Sequence, residues 1–234
     1  MTVSAKDKGE DEKVGKSDPI IYTLEQALDK GKCPVCCCLA TATTRSLANL
    51  LYEFVNDPTT RDHLRASGGF CREHSWALQQ MGDPLAHSII YADLIDGFCV
   101  KLQENMKESR SGPAFLAEKE EPCPVCLDEA ETEKRYLDGL LKAIHTSAFQ
   151  EKYRKLGFLC RPHFQAVYSQ TRDGKVRSFL TEVQLEELSR LSAELKEFIR
   201  KSDYRYAGEL PGTERDAWIR AVRSWVGPND LKTN

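Results

Sequence analysis

Cys33-Pro34-Val35-Cys36 and the later run Gly68-Gly69-Phe70-Cys71-Arg72-Glu73-His74 are written a second time in this chain. The second copy reads Cys123-Pro124-Val125-Cys126 and then Gly157-Phe158-Leu159-Cys160-Arg161-Pro162-His163. The CPVC pairs are offset by 90 positions and the CxxH pairs by 89, so one deletion in the spacer reconciles the copies. A CxxC turn can aim two thiolates at one ion, and a CxxH turn adds a third thiolate and an imidazole. Cys3His is a common donor set for structural zinc. Duplication at all eight positions argues against buried cysteines that serve only as small hydrophobes. The direct assignment takes each repeat by itself: Cys33, Cys36, Cys71 and His74 on one metal, and Cys123, Cys126, Cys160 and His163 on a second.

Iron–sulfur clusters also take cysteine ligands, and CPVC alone can serve as a dithiol couple. A dithiol enzyme has no need of the accompanying CxxH, and no other feature implies an electron partner. Two zinc ions are therefore the expected cofactors, with an iron–sulfur cluster as the alternative. Both CxxH runs open helices, where the positive helix end favours the thiolates of Cys71 and Cys160.

The 234 residues suffice for one large or two small domains, and 41% of them are apolar. A net charge of −3 gives no general attraction to nucleic acid or anionic membrane. No apolar run is long enough for a membrane span. Nine cysteines without a secretory leader favour reduced thiols, so the cytoplasm is the expected location. P-loop, dinucleotide-binding, GxSxG and HExxH patterns are absent from the sequence.

Periodicity predicts helices throughout and no strand. Residues 1–19 form a charged tail expected to be disordered. Residues 20–110 hold the first helical repeat, beginning with a short helix over Thr23–Asp29 that carries Leu24, Ala27 and Leu28. Within it, Leu47, Leu50, Leu51, Phe54 and Val55 recur at helical spacing, and Asp57-Pro58 starts another helix. A stripe of Leu85, Ile89, Ala92, Ile95, Cys99, Leu102 and Met106 predicts a long helix with Cys99 in the core. Residues 111–202 retrace this order as the second repeat, with a degenerate first helix near Ala114 to Glu118. Residues 203–234 depart from the repeat: an aromatic loop is followed by a helix with Trp218, Val222, Trp225 and Val226 on one face. The fold expected is all-α, with two pseudo-symmetric helical repeats, each stapled by its own metal site, and a C-terminal closing helix. Cys37 and Cys38 have no counterpart in the second copy, which carries Leu127 and Asp128, so they are read as incidental.

The duplicated CPVC…GFCxxH pattern, the Asp203-Tyr204-Arg205 run and Trp218 together resemble a family of uncharacterised bacterial and archaeal proteins, known only as a domain of unknown function. The resemblance spans Ile20 to Gly227. It supports the architecture and implies no activity. From the residues themselves the expected role is a non-enzymatic, metal-binding helical scaffold or adaptor with a protein partner and no nucleic-acid or membrane partner. An iron–sulfur or thiol redox protein is the alternative.

Overall fold

The computed structural model describes residues 18–107, 121–206 and 208–228. Residues 1–17 of the charged tail and the proposed degenerate helix near Ala114 to Glu118 lie outside the described residues, while Asp18 and Pro19, placed in the tail by the sequence reading, start the first helix. Among those described, the secondary structure is helical, with no strand.

Among the described residues ten α-helices follow one another: α1 (Pro19–Leu28), α2 (Pro34–Asn49), α3 (Pro58–Ala66), α4 (Arg72–Gln80), α5 (Pro84–Lys107), α6 (Pro124–Ala143), α7 (Ser147–Leu156), α8 (Arg161–Gln170), α9 (Gly174–Lys201) and α10 (Ala217–Val226). The order α2 to α5 recurs as α6 to α9, long, short, short, long. Proline occupies the first position of α1, α2, α3, α5 and α6, where its fixed φ suits a helix start and its missing N–H would have no partner anyway. Asp18, Asp57 and Asp173 cap α1, α3 and α9 by accepting backbone N–H groups. Four helices begin instead on cysteine. The N-cap residues of α2, α4, α6 and α8 are Cys33, Cys71, Cys123 and Cys160, and none of their side chains caps the helix. A π-helical turn over Leu50–Phe54 extends α2.

The chain is organised around α2 and α6, which pack side by side. They run antiparallel: Thr43, well into α2, donates to Glu129 near the start of α6 over 2.7 Å, while the start of α2 lies beside His163, which Glu133 approaches further along α6. Helix α1 packs across both. Gly139 makes that crossing possible, because a Cβ there would overlap the Ile20 side chain. One apolar core gathers Leu24, Leu28 and Val35 with Leu140, Phe149, Tyr153 and Leu180. The other gathers Leu47, Leu64, Leu78 and Ile90 with Val125. Both cores draw on both copies of the motif.

Two stripes differ from the sequence reading. Beyond Leu94, α5 stands clear of the core: Cys99 is exposed, as are Ile95, Phe98 and Met106. The α9 helix, by contrast, packs against α10. On α10, Trp218, Val222, Trp225 and Val226 do share a surface, but it faces outward, with each more than half exposed. The small residues Ala217 and Ser224 are buried instead, because they allow α10 to sit close against its neighbours. Ion pairs fix the helix there: Arg220 bonds Glu194 of α9 and Asp216 of its own segment. The buried Glu214 carboxylate accepts the Gly212 N–H at 2.8 Å and the Lys201 ammonium at 2.9 Å.

Substituting Gly139→Val should force α1 away from α6 and reduce stability by about 1–3 kcal/mol, the usual cost of overpacking, as read by urea unfolding. Glu214 supplies a pH test. The Gly212 N–H, then Lys201, hold its carboxyl down from 4.5 to about 2. Its stabilisation is complete above pH 4.5 and disappears as pH falls toward about 2. Melting curves should place Glu214→Gln below wild type at neutral pH, with the gap closing over that acid range.

Candidate metal centres

The helix ends meet in pairs, and the pairs cross between repeats. Cys33 and Cys36 from the start of α2 meet Cys160 and His163 from the start of α8. Cys123 and Cys126 from the start of α6 meet Cys71 and His74 from the start of α4. In each group all ligand atoms lie within 4.8 Å of one another. All eight residues expected as ligands are thus in clusters, but the assignment of one site to each repeat is corrected. Cys36 lies 3.6 Å from Cys160, and Cys126 lies 3.7 Å from Cys71.

Helix length explains the exchange. The 16 residues of α2 carry the chain about 24 Å from its own CPVC. The nine residues of α3 return it by at most about 14 Å. The CxxH of the first repeat is therefore delivered to the far end of α2, where antiparallel α6 begins. The same holds for α6, α7 and the second CxxH.

The geometry suits a tetrahedral ion. In the first cluster, His163 Nδ1 lies 3.3, 3.2 and 3.2 Å from the sulfurs of Cys33, Cys36 and Cys160. In the second, His74 Nδ1 lies 3.2, 3.7 and 3.4 Å from those of Cys71, Cys123 and Cys126. Zinc bonds of their ordinary lengths imply donor separations of about 3.5–3.8 Å, so a small contraction or expansion of these shells accommodates the ion.

Each histidine turns its other nitrogen to a carboxylate. His163 Nε2 is 3.0 Å from Glu133, and His74 Nε2 is 3.2 Å from Glu129. Such a partner fixes the ring so that Nδ1 faces the metal. Both carboxylates stand on α6, four residues apart, so this helix supports both centres. Gln184 of α9 holds the second turn from behind: its amide accepts the Leu159 N–H at 3.2 Å and donates to the Leu159 carbonyl at 2.9 Å. Glu129, Glu133 and Gln184 were not apparent as site residues from the sequence. Glu129 and Glu133 follow the second CPVC at one helical spacing, which is a pattern without meaning until α6 is known to pass both histidines.

The side chains alone carry an uneven charge distribution. Hydrogen bonds from Cys33 and then Cys36 pull Cys160 far below the usual thiol range, while hydrogen bonds with Cys160 and then Cys33 push Cys36 far above it. Burial opposes charge on His163, yet Cys160 and Cys33 hold it up to about 10. Burial likewise opposes charge on His74, and Glu129 beside it raises it to about 9. Burial and then Cys71 push Cys126 up to about 12. Each cluster thus tolerates little negative charge by itself. A divalent cation held there would supply the charge that allows the remaining thiols to ionise, and its uptake would release protons.

The environments of the two clusters differ. The end of α10 reaches the first one: a Cβ on Gly227, whose φ is +90°, would stand 3.3 Å from Cys36 Sγ. Arg161, next to Cys160, lays its guanidinium 4.6 Å from the Trp225 ring centre. In the second cluster Cys71 and Cys126 are half-buried. Cys37 and Cys38 belong to neither group and are buried in the core. His63, His87 and His145 also lie outside both groups.

The crossing makes a stoichiometric prediction. Cys36→Ser with Cys160→Ser should remove one metal and leave one per chain. Cys36→Ser with Cys71→Ser should remove both. Elemental analysis of the purified double variants distinguishes this from sites confined to one repeat, which would give the reverse.

Comparison with known proteins adds a relative and a family. An uncharacterised 23.9 kDa protein from the xynA 3' region of Caldicellulosiruptor sp. (strain Rt8B.4) is 28% identical over 202 residues, covering 84% of this chain and 95% of the relative. No solved structure matches. Residues 19–231 match the model of a family of unknown function, DUF6062, and the chain belongs to that family.

Proposed function

We propose that this protein is a non-enzymatic scaffold or adaptor, held in shape by two structural zinc ions, that binds a protein partner. The observation that supports it most is the composition of the two clusters. Each contains four protein donors within one coordination sphere, which leaves no position for a substrate. Three thiolates and one imidazole suit zinc among the common divalent metals.

The outward face of α10 is the surface assigned to the partner. Trp218, Val222 and Val226 are each more than half exposed, and the exposed Arg215 and Arg223 flank them. An apolar segment with acidic flanks complements this surface. The proposed location is the cytoplasm, where nine free thiols and thiolate-bound zinc are stable. Among the described residues, no helix is long and apolar enough to cross a membrane.

Protein purified without oxygen should be colourless and contain two zinc ions per chain. Removing them with a chelator should lower the melting temperature and expose the amides at the starts of α2, α4, α6 and α8 to hydrogen exchange. Iron with sulfide and a visible band that bleaches on reduction would overturn this reading in favour of an electron carrier.

A further inference from the structure

Beside the first metal cluster, a cavity of about 550 Å³ opens between α9, the end of α10 and the two turns that lead to Cys33 and Cys160. Its size falls in the range of small-ligand pockets. Phe158, Val183 and Leu191 supply an apolar floor. The charged residues around it are mostly basic, although the whole chain carries a net charge of −3.

Some of these cations are already matched. Arg154 pairs with Glu182, Arg190 with Glu187, and Arg220 with Glu194 and Asp216. Lys30, Lys155 and Arg223 make no ion pair among the described residues, and all three are exposed at the cavity. They come from three separate segments: the turn after α1, the last turn of α7, and α10. Glu186 is the carboxylate on the lining that opposes them without an ion pair of its own. Like charges brought together by three elements repel one another, and an anion seated among them removes that repulsion.

We propose that this cavity binds a small organic phosphate. The phosphoryl group lies among Lys30, Lys155 and Arg223, and the apolar part of the molecule lies on Phe158, Val183 and Leu191. The volume suits a small molecule better than a nucleic-acid strand. Both turns that line the cavity end in ligands of the first metal cluster, so an occupied cavity also braces that cluster. The proposal does not depend on the scaffold role or on the identity of the metal.

The test uses the full-length, metal-loaded protein with phenyl phosphate as the probe. Calorimetry at low ionic strength should show one site, binding more tightly than inorganic phosphate, weakening with added salt, and absent with phenol. The double variant Lys30→Gln, Lys155→Gln should lose about tenfold or more in affinity, equivalent to at least about 1.4 kcal/mol. Its melting curve without probe should match wild type, and Lys196→Gln, away from the cavity, should bind as wild type does. Equal affinity in the double variant, or no heat with the wild-type protein, would overturn the proposal. Tighter binding of an oligoglutamate peptide than of phenyl phosphate at the same residues would also overturn it, by making the cavity a peptide site.

Discussion

Placing helix N-termini in contact is costly, because each carries a partial positive charge and unpaired N–H groups. Here four such ends meet in two pairs, with Cys33 and Cys160 at one junction and Cys71 and Cys123 at the other. Thiolates at those positions match the local field, and a metal held there would bind the thiolates to one another. The remaining architecture follows from these two junctions. Each joins helices from opposite copies of the motif, so neither repeat can close its metal shell alone. The mixed cores agree with this: Leu24 and Val35 pack with Leu140 and Phe149, not with their own repeat only.

Helix α6 concentrates the dependence. It starts at one centre, passes Glu129 beside His74, and then presents Glu133 to His163 at the other centre. One rigid rod thereby sets the orientation of both imidazoles. Thr43 of α2 bonds the same Glu129, which ties the register of the two antiparallel helices to the metal geometry. A shift of one helix along the other would misplace a histidine at each end.

Duplication did not produce equivalent surroundings. The C-terminal segment closes over α9, reaches the first cluster through Gly227 and meets Arg161 of α8 through Trp225, and it borders the basic cavity. At the second cluster Cys71 and Cys126 are half-buried, and the outer part of α5 remains exposed. The structural asymmetry thus comes from the one part of the sequence that is not repeated.

The eight clustered Cys and His positions, the helical class and the repeated order of helices were legible in the sequence, because CxxC and CxxH spacing, proline starts and apolar periodicity are local signals. Even so, periodicity indicated apolar faces without indicating what covers them. Cys99 and Trp218 lie on apolar stripes that face solvent, since burial of a stripe depends on a neighbour supplied by the rest of the chain. The partnership of the ligands was also outside local reach. Spacing within the motif is satisfied equally by a site within each repeat and by an exchange between them. The outbound helix of about 24 Å and the shorter return of about 14 Å decide between these alternatives. Sequence therefore singled out the candidate ligands; the antiparallel packing of α2 on α6 decided which of them come together, because a helix is too stiff to bring both halves of its own motif to one end.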